Sequence, residues 1–435
     1  MVGSKRLRGS RRGATAAVAL ATVASLAGAG LGFGSAATAG AAKAKKLPPL
    51  TVGAILPFTG SKSLLSQWGV HGINVGIYEI NHHGGVLGHQ LKSSLVDDAA
   101  DSVDTLPAFR KLMINHPTFI VGPFSPTIEA VINQFQPNNV VDFMVGGLTN
   151  LDNMHYKYVF RTTASDSTEA IAMASYAISK GWKTASLMFD NSANSQGFVP
   201  PLIKAFKALG GTVQQNITLT PGQSSYSSEL AQAFAGNPQV VFDSMDSTTF
   251  ATLAADAQQL GYTKSAQWIG DDLQSAPQGV YAKSFGPDAS TNMTAALPST
   301  PTAQDNAYNH FLADYQQVWR TTSILPTSFN FYDSIVIAAL AMTMAKSTNP
   351  KIWVNDVVKV ANPPGVQCQT YAACVALIKK GKDINYNGAG GNDDFNKYHN
   401  VFSGFQMVGF DSSLNNVIRA YVTPKQLAAV VAKEG

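Results

Sequence analysis

The stretch NHHGGVLGHQLKSSLVDDAAD (81–101) gathers His82, His83 and His89 ahead of Asp97, Asp98 and Asp101. Imidazole and carboxylate are donors for zinc and for general acid–base work. The spacing argues against both. His82 and His83 are adjacent, so their side chains diverge, whereas ligand pairs on helices sit three or four apart. Gly84 and Gly85 can supply the left-handed geometry that ends a helix. The aspartates follow a short apolar run and precede a helix near Ser102, where carboxylates complement an amino terminus. The stretch reads as a helix end, a solvated turn, a strand and a helix start, with no metal site.

Other catalytic signatures are missing. G-x-S-x-G, Walker, H-E-x-x-H and C-x-x-C patterns do not occur, and the Gly-alternating run GAGLGFG (28–34) lies in an apolar N-terminal segment. No enzymatic activity and no cofactor are expected. Lys5, Arg6, Arg8, Arg11 and Arg12 precede an Ala/Val/Leu/Gly run, which ends at Ala37-Thr38-Ala39. Basic, apolar, then A-x-A is an export signal, read over 1–39, with a flexible leader over 40–50. Those five cations removed, 26 basic residues face 27 acidic ones. That balance gives no support to nucleic-acid binding. Cys368 and Cys374 are the only cysteines. In an exported chain they form a local disulfide, the alternative being two buried thiols.

The elements that must carry these residues alternate. Apolar runs at 51–56, 91–96, 118–121, 140–145, 184–189, 213–219, 240–243 and 268–269 read as strands. Helical spacing is seen at 64–81, 127–135, 168–180, 198–209, 227–234, 249–260, 303–320 and 332–346. Gly72 and Gly76, on one face, are expected to let the first helix pack closely on the sheet. Strand–helix alternation with short loops means parallel sheets covered by helices, an α/β fold. Two such units in series imply two lobes, 51–167 with 297–390 and 168–296 with 391–435.

The chain resembles the type I periplasmic solute-binding proteins of ABC transporters, in particular the branched-chain amino-acid (Leu/Ile/Val) binding family. The matching residues are VGAILPFTG (52–60), SQWG (66–69), EIN (79–81), GGVLGHQL (84–91), DDAAD (97–101), VGPFS (121–125), VFRTTASDS (159–167) and YDS (332–334). The resemblance implies two lobes joined by three crossing strands, with a ligand cleft between them. Strand ends and helix amino termini meet at such a cleft on general grounds too. It implies Ser125, Gly147 and Thr149 at the ligand's carboxylate and Trp68 beside its side chain. Asn194, Asp246 and Asp272 come from the second lobe, with Asp272 on the ammonium. Other roles stand beside these: Ser125 as a helix cap ahead of Pro126, Trp68 as core, and Asp246 and Asp272 as loop caps. The replacements at Asn194 and Asp246 make the cleft more polar than the family pattern. The implied function is a periplasmic or extracellular receptor that takes an amino acid or similar polar solute. It would act as a monomer with an ABC permease as partner, or as a sensor of the same fold.

Overall fold

The computed structural model describes residues 47–433 except Ser61, Pro126, Met154 and 299–305. The export signal and most of the leader lie outside the described residues, as does Pro126.

The first sheet is all parallel. It contains β1 (Leu50–Leu56), β2 (Leu91–Asp97), β3 (Phe119–Val121), β4 (Val141–Met144) and β5 (Val159–Arg161), ordered β2-β1-β3-β4-β5. β1, LTVGAIL, is buried from Thr51 onward, as expected for a strand covered on both faces. The second sheet uses β6 (Thr184–Asp190), β7 (Thr212–Leu219), β8 (Val240–Ser244), β9 (Gln267–Gly270) and β10 (Met293–Pro298). A small three-stranded sheet, β11 (Val366–Cys368), β12 (Ile384–Gly388) and β13 (Gly391–Asn392), hangs on the first core. Two strands then return to the second sheet, β14 (Phe405–Phe410) and β15 (Asn416–Val422), giving the order β15-β14-β10-β9-β8-β6-β7. Both run antiparallel to their neighbours, so this sheet is mixed.

Each sheet has its own apolar core. The first is built around the helix Ser328–Ala345, which is apolar on every side and buried from Ser328 through Thr343. It is long and apolar enough to cross a membrane, but it is the centre of a packed core. Asp333 on this helix is fully buried and holds the Gly388–Gly391 turn, accepting from Tyr386 Oη (2.7 Å), Ala389 N (3.0 Å) and Gly390 N (2.6 Å). Such charge-assisted bonds are what make a buried carboxylate tolerable. The chain passes between the sheets after β5, after β10 and after Val401. Arg161 and Asn400, on two of these passages, pair side by side.

Three expectations change. Gly72 and Gly76 serve close packing against a helix, not the sheet. A Cβ at Gly72 would lie 2.0 Å from Ser328 O, and one at Gly76 would lie 2.7 Å from Ile335 Cβ. Residues 127–135 form two 3₁₀ turns, Thr127–Ala130 and Ile132–Gln134, in place of one α-helix. Thr127 Oγ1 donates to buried Asp98 Oδ2 at 2.9 Å, and three-residue bonds such as Gln134 N to Val131 O (2.7 Å) replace the four-residue ladder. The helix expected at 198–209 begins at Ala193, because Ser192 caps it by accepting from Ser195 N at 3.3 Å.

Candidate ligand-binding cleft

The carboxyl ends of the first sheet present three loops. The loop after β3 carries Phe124 and Ser125, that after β4 carries Val145, Gly146 and Gly147, and the chain after β5 carries Thr163 and Ala164. With the start of the helix Leu64–His82 they line one wall of a cleft. The facing wall comes from the starts of the helices Asp166–Ser179 and Ala193–Ala208 and from the turn after β9. The empty space between the two walls is about 530 Å³, open mouth included.

Of the seven residues the family pattern selects as ligand-binding, five line this cleft: Trp68, Ser125, Gly147, Asn194 and Asp272. Ser125 Oγ accepts from Leu148 N at 3.0 Å, which leaves its proton free to donate. Gly147 has no room for a side chain, since a Cβ there would fall 1.6 Å from Asp166 Oδ1. Thr149 and Asp246 are not in the lining. Thr149 opens a 3₁₀ turn and abuts Gly197 on the facing helix, where a Cβ would lie 2.9 Å from its Oγ1. Asp246 is the N-cap of the helix Ser247–Leu260. Its Oδ1 accepts from Thr248 N (2.9 Å) and Thr249 N (3.1 Å), and its Oδ2 from Thr249 Oγ1 (2.7 Å). Three of its roughly four acceptor positions are spent on its own helix.

The cleft also holds Lys62, Leu65, Asp166, Glu169, Leu273, Pro298 and Thr327, which the sequence pattern does not single out. Asp166 and Glu169 sit in the first turn of a helix, where acids ordinarily complement the dipole, and that masks them. Both are nearly fully buried. Burial pushes the Asp166 carboxyl well above its usual range, and the charge of Asp272 adds to it. Glu169 is raised in the same way, first by burial and then by Asp272 and Asp166, although its Oε1 accepts from Asp272 N at 2.9 Å. Asp272 is pushed up to about 6 by burial, with the Leu273 N–H and the Lys62 charge pulling the other way. Behind them burial raises Asp271, and it raises Asp243 to about 7. One cation, Lys62, faces three carboxyl groups in the lining.

Three polar atoms in this lining are buried and have no protein partner among the described residues: Asp166 Oδ2, Trp68 Nε1 and Thr327 Oγ1. Thr327 is also held at φ +55, a left-handed conformation that a β-branched residue rarely adopts. Orphaned polar atoms and local strain of this kind concentrate where a ligand is taken up. Cys368 and Cys374 are bonded, 5.3 Å apart at Cα, and tie β11 to the helix Tyr371–Lys379.

Comparison with known proteins agrees with this architecture. A Leu/Ile/Val-binding protein from Rhizobium johnstonii is 26% identical over 205 residues, 44% of this chain and 53% of that protein. This chain's match therefore spans about half the length of that relative. A chemotactic signal transduction system substrate-binding protein from Halobacterium salinarum is 23% identical over 375 residues, 80% of this chain and 83% of that one. Among solved structures, a leucine-binding protein from Thermotoga maritima superposes with a TM-score of 0.72 at 19% identity, covering 86% of this chain and 99% of that one. The periplasmic binding protein family matches residues 49–403. With its two sheets, its two-walled cleft and a family match over most of its length, the chain belongs to the periplasmic binding proteins.

Proposed function

We propose that this chain is the extracytoplasmic receptor of an ABC importer. It binds a small solute bearing a protonated amine and a carboxylate, without altering it. The observation that carries this reading is the set of buried, unpartnered atoms on the cleft walls, Asp166 Oδ2, Trp68 Nε1 and Thr327 Oγ1, beside three carboxyl groups. Asp166, Glu169 and Asp272 suit an ammonium. Lys62 and the Ser125 hydroxyl suit a carboxylate, and Leu65, Phe124 and Leu273 give an apolar floor to the rest of the ligand. With the lobes divided where the chain passes between the sheets, after β5, after β10 and after Val401, one cleft wall falls on each lobe; the last bound lies beyond the expected 390 because β13 pairs with β12 and Phe395 and Val401 pack in the first core. A ligand touching both walls favours the closed form by its differential contacts. The closed receptor, a monomer, then docks on the permease.

A sensor of the same fold is the second reading, favoured by the Halobacterium relative over 80% of the chain. A thermal-shift screen against amino acids, amines and carboxylic acids lacking an amine tests the ligand class. Amino acids are expected to stabilise the protein. Stabilisation by simple carboxylates alone would overturn the proposed class.

A further inference from the structure

Away from the cleft, two helices of the first core each present a pair of donors four residues apart. Glu79 and His83 stand at the end of Leu64–His82 and its cap, and His310 and Asp314 stand on Asn306–Trp319. His310 Nε2 lies 3.0 Å from Glu79 Oε2 and 3.6 Å from Asp314 Oδ2. His83 Nε2 lies 3.3 Å from the same Glu79 oxygen. One donor atom each from Glu79, His310 and Asp314 falls within 4.8 Å of the other two. We propose that Glu79, His310 and Asp314, with water completing the shell, bind a divalent transition-metal ion that staples the two helices together.

The geometry fits the ion. Two ligand atoms each about 2.1 Å from a tetrahedral zinc stand about 3.4 Å apart; His310 Nε2 stands 3.0 Å from Glu79 Oε2 and 3.6 Å from Asp314 Oδ2, and all three donors lie within 4.8 Å of one another. Mixed imidazole and carboxylate donors without thiolate suit zinc, nickel or cobalt. Glu79 is almost fully buried and its second oxygen, Oε1, accepts from Tyr371 N at 3.1 Å, which fixes how the carboxylate points. Asp314 Oδ2 is a buried oxygen with no hydrogen-bond donor among the described residues. It faces Glu79 and lies 3.6 Å from His310 Nε2, so the imidazole stands between the two acids where a divalent cation would bind them. His83 and His310 are partly exposed, which leaves the ion a way in. The site is about 16 Å along the first helix from Trp68, taking 1.5 Å per residue, so it is separate from the cleft.

The test is zinc titration of the chelator-treated full-length protein by calorimetry, with cobalt absorption as a check on geometry. One equivalent per chain should bind, with a tetrahedral cobalt spectrum. At a hundredfold excess over Kd, zinc should raise Tm by about 4 °C. His310→Asn and Asp314→Asn should each weaken binding at least about 100-fold. His82→Ala, which removes the neighbouring histidine, should change nothing. Glu79 is left intact because its loss could unfold the lobe, and the metal-free Tm of each variant confirms its folding. Absence of zinc binding, or equal binding by wild type and folded His310→Asn, overturns the proposal.

Discussion

Replacing Asp272 by Asn tests the electrostatics of the cleft. Asp272 titrates at about 6. It is therefore roughly 90% ionised at pH 7 and roughly 10% at pH 5. If only the ionised form holds the ligand's ammonium, Kd rises about tenfold between those two pH values. Asp166 and Glu169, raised further, must lose protons to meet a cation, so they move affinity in the same direction. Binding should tighten as pH rises from 5 to 7 and release protons at and below about pH 6. Asp272→Asn removes a charge-assisted hydrogen bond of about 1.5–3 kcal/mol, weakening affinity about 10- to 100-fold at pH 7. It should also flatten the pH dependence below 6. The assay is calorimetry with the best-bound amino acid, repeated in buffers of different ionisation enthalpy. Wild-type affinity in the variant, or tighter binding at pH 5 than at pH 7, would refute the assignment.

Other outcomes follow from the same geometry. Asp243 is fully buried and titrates at about 7 against 3.8 unperturbed. The folded state holds its proton more tightly, so stability falls as pH rises from about 4 and levels off above about 7. That group alone should cost about 2–3 kcal/mol between pH 5 and 8, and urea unfolding of Asp243→Asn should show the slope reduced by that amount. Asp246→Ala removes a helix cap and should cost about 1 kcal/mol of stability with ligand affinity unchanged; a large affinity loss would return it to the cleft. Cys368→Ser opens a loop closed over a separation of six residues, and unfolding free energy should drop by about 2 kcal/mol.

The parallel strands of both sheets are legible because apolar runs and helical spacing alternate with little ambiguity; the antiparallel β14 and β15, which make the second sheet mixed, are not. Ser125 and Gly147 come from the family resemblance, and both line the cleft at the carboxyl ends of parallel strands. Asp166 and Glu169 are hidden by a local explanation that is sufficient on its own, acids in a helix's first turn. Only the facing strand ends turn them into cleft residues. Asp246 is the converse case: its loop faces the second sheet's end, but it lies outside the cleft lining and Thr248 and Thr249 take three of its acceptor positions. From the sequence His83 reads as solvated, because its neighbour His82 cannot share a ligand with it. The partner it does meet, Glu79, lies four residues back, and His310 joins them from 231 residues away along the chain. The two 3₁₀ turns at 127–134 reflect a buried tie to Asp98, which no period in the sequence reports.

The central claim is that the cleft holds an amine-bearing solute by its buried acids. Calorimetry of a matched pair tests it most directly, the best-bound L-amino acid against its 2-hydroxy acid, which differs in the amine alone. The amino acid should bind with submillimolar Kd and the hydroxy acid at least about 100-fold more weakly. Equal affinities, or tighter binding of the hydroxy acid, would contradict it.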